Sequence, residues 1–341
     1  MEAVRFLGVP GSPYTRKMRA FLRYRLIPYR MVVQGSPEDH DLPQPKVALL
    51  PTFYLPDTEG CLQAVVDSTP LIRRFETERE GRGVIPPDPV IALVDAILED
   101  YADEWLNKAT FHYRWTHEAD IEKTVAILPR WARIDATEEE IAEVAQWARD
   151  RQVGRLWVAG SNPTTSPVIE ASYARCLGLL DRHLTGHRFL MGGRPGASDF
   201  GTYGQLTQLA IFDPTPAALA LELAPRVIAW VDVVEDLSGL EPGDGDWLSR
   251  NEVAETLGPL LVEVGRTYVR FLLANAQALE NGVERVECTI DGEPWVQQPF
   301  PYQGKCLLAL RQTYEALSAE DRAGADRVLE GTGCEELFTR R

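Results

Sequence analysis

A serine at the start of a predicted helix is the residue of this chain best placed to do chemistry. The apolar run at residues 4–7 is typical of a short buried strand, and the glycines and prolines that follow it indicate a turn. Ser12 and Pro13 then form a helix N-cap followed by proline at the first helical position. Because unpaired backbone N–H groups and the helix dipole favour an anion at such a terminus, a hydroxyl there could help to stabilise a thiolate.

Two further segments of interest follow along the chain. The first is Leu50-Pro51, which precedes a short apolar run, and the second is Asp67-Ser68, at the head of a predicted helix over residues 69–78. In this order and spacing, and with Ser12-Pro13-Tyr14 before them, these segments resemble the thioredoxin-like N-terminal domain of the cytosolic glutathione transferases. The resemblance extends over residues 4–238, and nothing beyond residue 250 can be mapped onto that family.

The resemblance implies a glutathione site and a role for each of these segments. Ser12 occupies the position that faces the glutathione sulfur. Pro51 is the counterpart of the family's cis-proline, and Leu50 before it would pair by its backbone with the cysteinyl part of glutathione; X-Pro is the common place for a cis bond. Asp67 would bind the ammonium of the γ-glutamyl end and Ser68 its carboxylate.

Three alternatives to this role of Ser12 remain. Tyr14 carries a phenol, which is a stronger hydrogen-bond donor than serine, although its ring could equally pack under the first helix. Thr15 is a third hydroxyl near the same helix terminus. Ser12 itself could be only an N-cap. A serine rather than a cysteine at this position counts against glutaredoxin-like disulfide chemistry.

The energies involved allow a serine-type mechanism. Lowering the pKa of a bound thiol by about two units corresponds to roughly 2.7 kcal/mol. A hydrogen bond from a hydroxyl to an anion contributes about 1.5 to 3 kcal/mol, and a helix N-terminus adds roughly 0.3 to 1 kcal/mol. Ser12 and the first helix could therefore supply the whole shift without a general base.

A second resemblance lies at residues 189–200, which are similar to the buried capping motif of the family's helical domain. The motif normally has Ser or Thr followed three residues later by Asp. Here Gly196 stands at the cap and Asp199 three residues later. Glycine costs only a few tenths of a kcal/mol relative to Ser or Thr as an N-cap, so we expect the helix to form and one of the two reciprocal hydrogen bonds to be lost.

Composition and charge limit the class of protein. With 45% hydrophobic and 25% charged residues, the chain has an ordinary globular composition. Its net charge of −16 argues against nucleic-acid or anionic-membrane partners, because phosphate binding needs a basic surface. No secretion signal or long apolar run is evident, which predicts a cytoplasmic protein. The five cysteines are widely spaced, so we expect reduced, mostly buried thiols.

The order of patterns along the chain predicts three parts. A thioredoxin-like α/β domain over residues 1–83 is followed, after a glycine- and proline-rich linker, by an all-α domain over residues 84–245. Residues 246–341 form an α/β-hairpin extension, which we expect to pack on the helical domain. Within it we predict a helix from about Glu252 to Asn281, a hairpin with an Asp291-Gly292 turn, and two more helices.

An aromatic segment of the second domain is the candidate acceptor pocket, because the resemblance places its helix against the cleft between the domains. The residues proposed to shape it are Tyr101, Trp105, His112, Arg114 and Trp115. The alternative is that these rings are interhelical core. His183 and His187 have the spacing of a metal-binding pair, but a glycine between them and the lack of an obvious carboxylate ligand lead us to predict no metal.

Several basic residues make the first helix unusual in an acidic protein. Attraction of an anionic peptide is one explanation, but we interpret them as a solvated helix face. The residues are Arg16, Lys17, Arg19, Arg23, Arg25 and Arg30.

The resemblance implies a glutathione transferase that acts as a homodimer in detoxification, and the absence of a targeting segment predicts a cytoplasmic location. Glutathione would be the co-substrate and a small electrophile the acceptor. The alternative is a non-catalytic binding or scaffold protein with the transferase fold, whose extension carries a surface for a partner. The altered cap at Gly196 and the additional C-terminal residues leave this alternative open.

Overall fold

The structure is a computed structural model, and it describes residues 3–40 and 42–339. The chain begins with an α/β unit. Its elements are β1 (Val4–Gly8), α1 (Pro13–Tyr24), β2 (Tyr29–Val33), β3 (Thr52–Pro56), β4 (Leu62–Val65) and α2 (Ser68–Glu78). The four strands form one sheet in the order β2-β1-β3-β4, which confirms the predicted thioredoxin-like domain.

The register of this sheet decides which loops meet. β1 runs parallel to β2 and antiparallel to β3, with Leu7 opposite Thr52. β3 runs antiparallel to β4, with Phe53 opposite Val65. The end of β1, the start of β3 and the end of β4 therefore lie at one edge of the sheet.

A helical region follows, as predicted. Its helices are α3 (Pro89–Tyr101), α4 (Asn107–Thr116), α5 (Glu118–Ala132), α6 (Glu138–Val153), α7 (Ser166–His183), α8 (Ala197–Leu206), α9 (Pro214–Leu223) and α10 (Pro225–Val234). Two π-helical stretches, Ala102–Leu106 and Thr207–Phe212, follow α3 and α8 directly. Every residue of α8 is buried, so this helix is the centre of the region.

The N-terminus of α8 shows how the chain compensates for the glycine at its cap. The Gly196 N–H donates to Asp199 Oδ2 (2.8 Å), which is the half of the capping motif that the sequence retains. Asp95 of α3 accepts the next two N–H groups, from Ala197 (3.2 Å) and Ser198 (3.0 Å). A Cβ at residue 196 would lie 2.3 Å from Asp95 Oδ1. Glycine is required here because a carboxylate from another helix occupies the space of the missing side chain.

The last hundred residues form helices around a hairpin. The elements are α11 (Arg250–Thr256), α12 (Gly258–Val264), α13 (Arg270–Asn281), β5 (Val286–Ile290), β6 (Glu293–Gln297), α14 (Pro301–Glu315) and α15 (Ala319–Leu329). Asp291 and Gly292 both have positive φ (55° and 82°), as a two-residue hairpin turn requires. The long helix predicted before the hairpin is interrupted at Leu257, and a π-helical stretch, Gly265–Val269, joins α12 to α13.

The extension shares a continuous apolar core with the helical region. Trp295 of β6 is 1% exposed, and its ring centroid lies 5.2 Å from that of Trp105 and 5.9 Å from that of Phe271. Arg250 of α11 binds Asp88 at the head of α3 (Nε to Oδ2, 2.7 Å). These contacts join the two parts, while the boundaries at residues 83 and 245 stay predictions.

Two further sequence expectations can be compared with the structure. All five cysteines carry free thiols, but only Cys176 and Cys334 are buried, and Cys61 is exposed. Within residues 3–40 and 42–339, none of the helices has the length and apolar character needed to cross a membrane.

Candidate functional site

The sheet edge described above brings the three sequence motifs together. The loop after β1 leads to Ser12, the loop before β3 contains Pro51, and the turn after β4 contains Asp67. The peptide bond between Leu50 and Pro51 is cis, as the resemblance implies. Asp67 has a φ of 83°, which is rare for a residue other than glycine and marks it as a candidate functional position.

Ser12 is the N-cap of α1, as predicted, and Pro13 is its first residue. The Thr15 N–H donates to Ser12 Oγ (3.2 Å), so the serine oxygen serves as a hydrogen-bond acceptor for the helix terminus. Its hydroxyl hydrogen is not used by that bond. Because Ser12 is also only half-buried, it can cap the helix and still donate to a ligand.

The other two hydroxyls are engaged within the protein. Tyr14 donates to the backbone carbonyl of Asp103 (2.6 Å), and burial raises its pKa well above the usual value, as do the nearby carboxylates Glu104 and Asp103. Thr15 is fully buried, and its Oγ1 accepts a weak hydrogen bond from the Val9 N–H (3.4 Å). These contacts favour Ser12 over Tyr14 and Thr15 as the partner of a thiolate.

Asp67 has a partner that the sequence did not indicate. The Tyr302 hydroxyl, near the start of α14, donates to Asp67 Oδ2 (2.7 Å) across 235 residues of chain. Ser68 lies next to it and is buried (6% exposed). The extension therefore reaches the residue that the family resemblance assigns to the γ-glutamyl end of glutathione.

Beneath this edge lies a buried network of charges. Lys17 of α1 is fully buried and binds Glu99 (2.8 Å) and Asp103 (2.5 Å). Arg73 of α2 also binds Glu99 (2.8 Å). Burial opposes ionisation of Glu99, but Lys17 and Arg73 hold its pKa at about 2. The pKa of Asp103 rises to about 6, because burial and the charge of Glu99 outweigh its attraction to Lys17. The network joins α1 and α2 to α3.

The prediction that the basic residues of α1 form a solvated face is wrong for Lys17 and for three of the arginines. Besides the burial of Lys17, three arginines converge on Glu235, immediately after α10. Its carboxylate binds Arg19 (2.5 Å), Arg23 (2.7 Å) and Arg16 (3.4 Å). These contacts hold the pKa of Glu235 below its usual value even though burial would raise it. The basic residues of α1 attach the N-terminal domain to the helical region.

The five residues proposed for the acceptor pocket are all buried and point to different neighbours. Trp105 packs on Trp295 of the hairpin, and its indole N–H donates to Ser172 Oγ (2.8 Å). Trp115 lies in a separate apolar cluster. The rings of Tyr101 and Tyr268 are 6.3 Å apart, centroid to centroid. The structure does not bring the five side chains to one cleft.

Arg114 is the member of that set that reaches the sheet edge. Its Nη1 donates to the Gly11 carbonyl (2.9 Å), and its Nη2 binds Asp213 (2.7 Å). Two half-buried aromatic rings that the sequence analysis missed lie beside it. A Cβ at Gly11 would be 2.4 Å from the ring of Trp131, and the ring centroids of Trp131 and Phe212 are 5.4 Å apart. An aromatic pair therefore adjoins the residue before Ser12.

The N-terminal domain matches a known protein family. Residues 6–83 match the family model described as the N-terminal domain of glutathione S-transferase. The match confirms the resemblance seen in the sequence motifs, and it identifies residues 6–83 as a glutathione S-transferase N-terminal domain. Comparison with curated protein sequences finds no match.

Several solved structures are similar to the chain. A GST-like protein from Pseudomonas syringae is 17% identical over 69% of this chain and 67% of its own, with a TM-score of 0.40. A glutathione S-transferase from Methylobacterium radiotolerans, in complex with glutathione sulfonate, is 18% identical over 71% of this chain and 99% of its own, with a TM-score of 0.38. A glutathione S-transferase from Rhodospirillum rubrum is 15% identical over 73% of this chain and 97% of its own, with a TM-score of 0.40.

Proposed function

We propose that this protein binds glutathione at the edge of its N-terminal sheet and activates the thiol for attack on a small electrophile. The observation that carries the proposal is the meeting of Ser12, Leu50-Pro51 and Asp67-Ser68 at one edge of a domain that matches the glutathione S-transferase N-terminal family. A helix N-terminus, a backbone segment and an acid-serine pair together suit the thiol, the peptide and the γ-glutamyl end of glutathione.

Ser12 is the proposed catalytic residue. Its Oγ accepts the Thr15 N–H and keeps a hydrogen to donate to the sulfur, and the dipole of α1 adds to the stabilisation of the thiolate. The thiol loses its proton to solvent, and the thiolate forms the new carbon–sulfur bond by displacing the leaving group of the electrophile, which departs with the electron pair of the broken bond, as a halide does from an aryl halide. Because the thiolate is the nucleophile, lowering the pKa of the thiol raises the fraction that can react at neutral pH.

Asp67 and Ser68 are proposed to hold the γ-glutamyl end. The bond from Tyr302 does not exhaust Asp67, since a carboxylate has about four acceptor sites. The Asp67 carboxylate can therefore accept both the Tyr302 hydroxyl and a ligand ammonium. In this arrangement Tyr302 positions Asp67, and the extension contributes to the glutathione site.

The acceptor site is proposed to lie beside Gly11. The half-buried rings of Trp131 and Phe212, with Arg114 behind them, adjoin the residue next to Ser12 and offer an apolar surface to an electrophile. Of the residues proposed from sequence, Arg114 takes part here. The other four, Tyr101, Trp105, His112 and Trp115, are buried against other neighbours and are not part of the proposed acceptor site.

The alternative function, a non-catalytic binding or scaffold protein, is favoured by the same Tyr302–Asp67 bond. If the extension holds Asp67 too firmly for an ammonium to bind, the glutathione site is closed. The two functions differ in whether glutathione binds at all.

The test is glutathione binding to the full chain, measured by calorimetry and by the melting temperature. We expect stabilisation, because a ligand at 100 times its Kd adds about 2.7 kcal/mol to the free energy of unfolding. The Tyr302→Phe variant should bind glutathione whether the site of the natural chain is open or is closed by the extension. If the natural chain shows no binding at millimolar glutathione and Tyr302→Phe does, the extension closes the site and the scaffold function is favoured.

The cellular setting belongs to the proposal as well. We propose a cytoplasmic homodimer acting in detoxification. Sedimentation equilibrium of the full chain measures the oligomeric state, and conjugation of glutathione to an activated aryl halide measures the reaction.

A further inference from the structure

Two histidines and a glutamate of the helical region face one another. His112 lies in α4, His117 stands between α4 and α5, and Glu170 lies in α7. His112 Nε2 is 3.1 Å from Glu170 Oε1, and His117 Nε2 is 3.8 Å from the same oxygen. One ligand atom from each of the three lies within 4.8 Å of the others.

The ring of His112 is held in a fixed orientation. It is fully buried, and its Nδ1 lies 2.8 Å from Ser161 Oγ. When Nδ1 carries the hydrogen and donates to Ser161, the lone pair of Nε2 points towards Glu170. A hydrogen bond to the second nitrogen is the usual way in which proteins orient a histidine that binds a metal.

His117 has a polar atom that the described part of the chain leaves without a hydrogen bond. Its Nε2 is buried and has no hydrogen-bond partner. The ring is fixed by stacking on Tyr113, with centroids 5.4 Å apart and planes inclined by 19°. Since a buried polar atom without a partner is costly, a group that binds this nitrogen would stabilise the structure.

We propose that His112 Nε2, His117 Nε2 and the Glu170 carboxylate form a binding site for a divalent zinc-type cation. Two histidines and one glutamate are a donor set that binds Zn²⁺, with metal–ligand distances of about 2.0 to 2.2 Å, and they leave a fourth position for water. Such distances put neighbouring ligand atoms of a tetrahedron roughly 3.3 Å apart, close to the 3.1 and 3.8 Å found here.

The surroundings of the site agree with cation binding. The Glu170 side chain is 45% exposed and that of His117 33% exposed, so an ion can enter from solvent. His112 supplies the buried ligand of the site. The cation would connect the corner between α4 and α5 to α7. This site is independent of the proposed glutathione site, because it shares none of its residues.

The predicted absence of a metal rested on the other histidine pair of the chain. The rings of His183 and His187 stack with centroids 4.9 Å apart, but His183 Nε2 lies 3.1 Å from the Phe189 carbonyl. That nitrogen already has a partner within the fold. The pair is therefore a suitable control for the proposed site.

The test is zinc titration of the full chain after removal of metals with a chelator. We expect one equivalent of zinc to bind, and the melting temperature to rise with zinc concentration. Glu170→Gln and His117→Gln should each weaken zinc binding at least ten-fold, and Ser161→Ala should weaken it by 10- to 100-fold, as loss of such orienting partners commonly does. His187→Gln should bind zinc as the natural chain does.

Circular dichroism shows whether each variant is folded, and the partly exposed positions of Glu170 and His117 make these two variants the decisive ones. The absorption spectrum of bound cobalt(II) gives a second readout, because it reports nitrogen and oxygen ligands in a tetrahedral site. The proposal is overturned if the natural chain binds no zinc at micromolar concentrations. It is also overturned if His187→Gln reduces zinc binding while Glu170→Gln and His117→Gln do not.

Discussion

The N-termini of α1 and α8 use similar backbone groups in opposite ways. At α1, one side chain, Ser12, caps the helix, is half-buried and keeps a hydrogen to donate. At α8, the cap residue Gly196 has no side chain, and two buried carboxylates, Asp95 and Asp199, accept the free N–H groups. The first terminus keeps hydrogen-bonding capacity for a ligand, whereas the second uses all of it within the protein.

This difference indicates that the α1 terminus is a candidate ligand site and that the α8 terminus has a structural role. Asp95 and Asp199 are fully buried, and burial raises their pKa values to about 6 and about 8 in spite of the N–H groups that they accept. Their role is to connect α3 and the loop before α8 to α8 itself. Variants at the α8 terminus should therefore change stability, and variants at the sheet edge should change reactivity and binding.

The largest expected effect is that of Asp199→Ala. The Asp199 carboxylate accepts the N–H groups of Leu190 and Gly196, both at 2.8 Å, and both would be left buried without partners. Each such group costs about 1 to 3 kcal/mol, so the free energy of unfolding should fall by roughly 2 to 6 kcal/mol. Urea denaturation measures it. A loss under about 0.5 kcal/mol, the range of surface substitutions, would contradict the structural role.

The second prediction concerns pH. Because the pKa values of Asp95 and Asp199 are raised in the folded state, the folded protein holds protons that the unfolded chain loses above about pH 4. Their contribution to stability is complete below that pH and is lost as the pH rises through about 6 and about 8. The free energy of unfolding should therefore fall between pH 5 and pH 9 by an amount on the order of a few kcal/mol, and the melting temperature should fall with it.

A variant isolates this pH effect. Asp199→Asn cannot ionise, so the fall in stability through pH 8 should be smaller in that variant than in the natural chain. An equal fall in both would show that Asp199 is not responsible.

The third prediction is that restoring the family's serine at the α8 cap destabilises the protein. Gly196→Ser would place a Cβ 2.3 Å from Asp95 Oδ1 and 2.6 Å from Met191 Cγ. Overpacking of this kind costs about 1 to 3 kcal/mol. Gly186→Ser is the matched control, because a Cβ there meets no atom within 4 Å. Equal melting temperatures for the two variants would mean that Asp95 can move aside.

At the sheet edge, Ser12→Ala should lower the rate of glutathione conjugation at least ten-fold and leave glutathione affinity within a few-fold. A bond made chiefly to the thiolate acts on reactivity rather than on binding of the peptide ends. Tyr14→Phe should have a smaller effect, since the Tyr14 hydroxyl already donates to the Asp103 carbonyl. An inactive Tyr14→Phe with a normal Ser12→Ala would reverse the assignment.

The smallest expected effect on chemistry is that of Asp67→Asn. The ammonium that Asp67 is proposed to bind does not react, so its loss should raise the KM for glutathione with little change in kcat. Steady-state kinetics with varied glutathione give both values. An unchanged KM would remove Asp67 from the site and leave it as a partner of Tyr302.

Much of the fold and part of the candidate site could be predicted from sequence, because the signals there are local. Ser12-Pro13 at a helix start and Asp291-Gly292 in a hairpin act over a few residues, through capping and through backbone conformation. Capping and turn conformation are decided by neighbours in the chain. The thioredoxin-like domain and the cis bond before Pro51 were instead implied by the resemblance that the motifs of residues 4–72 carry.

Only the tertiary structure decided the long-range partners. Lys17 looks like part of a solvated face in the sequence, yet it is buried against Glu99 and Asp103. The sequence suggests that Gly196 leaves the α8 terminus without a side-chain cap. In the structure, Asp95 of α3 accepts the Ala197 N–H and occupies the space of the missing side chain. No local pattern marks these partners.

The same holds for the two contacts on which the proposals depend. Tyr302 reaches Asp67 across 235 residues, and His112 meets Glu170 across 58. A side chain's type and its near neighbours determine which interactions it can make. Which interaction it does make depends on the packing of helices remote in sequence, because burial and electrostatic pairing are set by distance in space rather than along the chain.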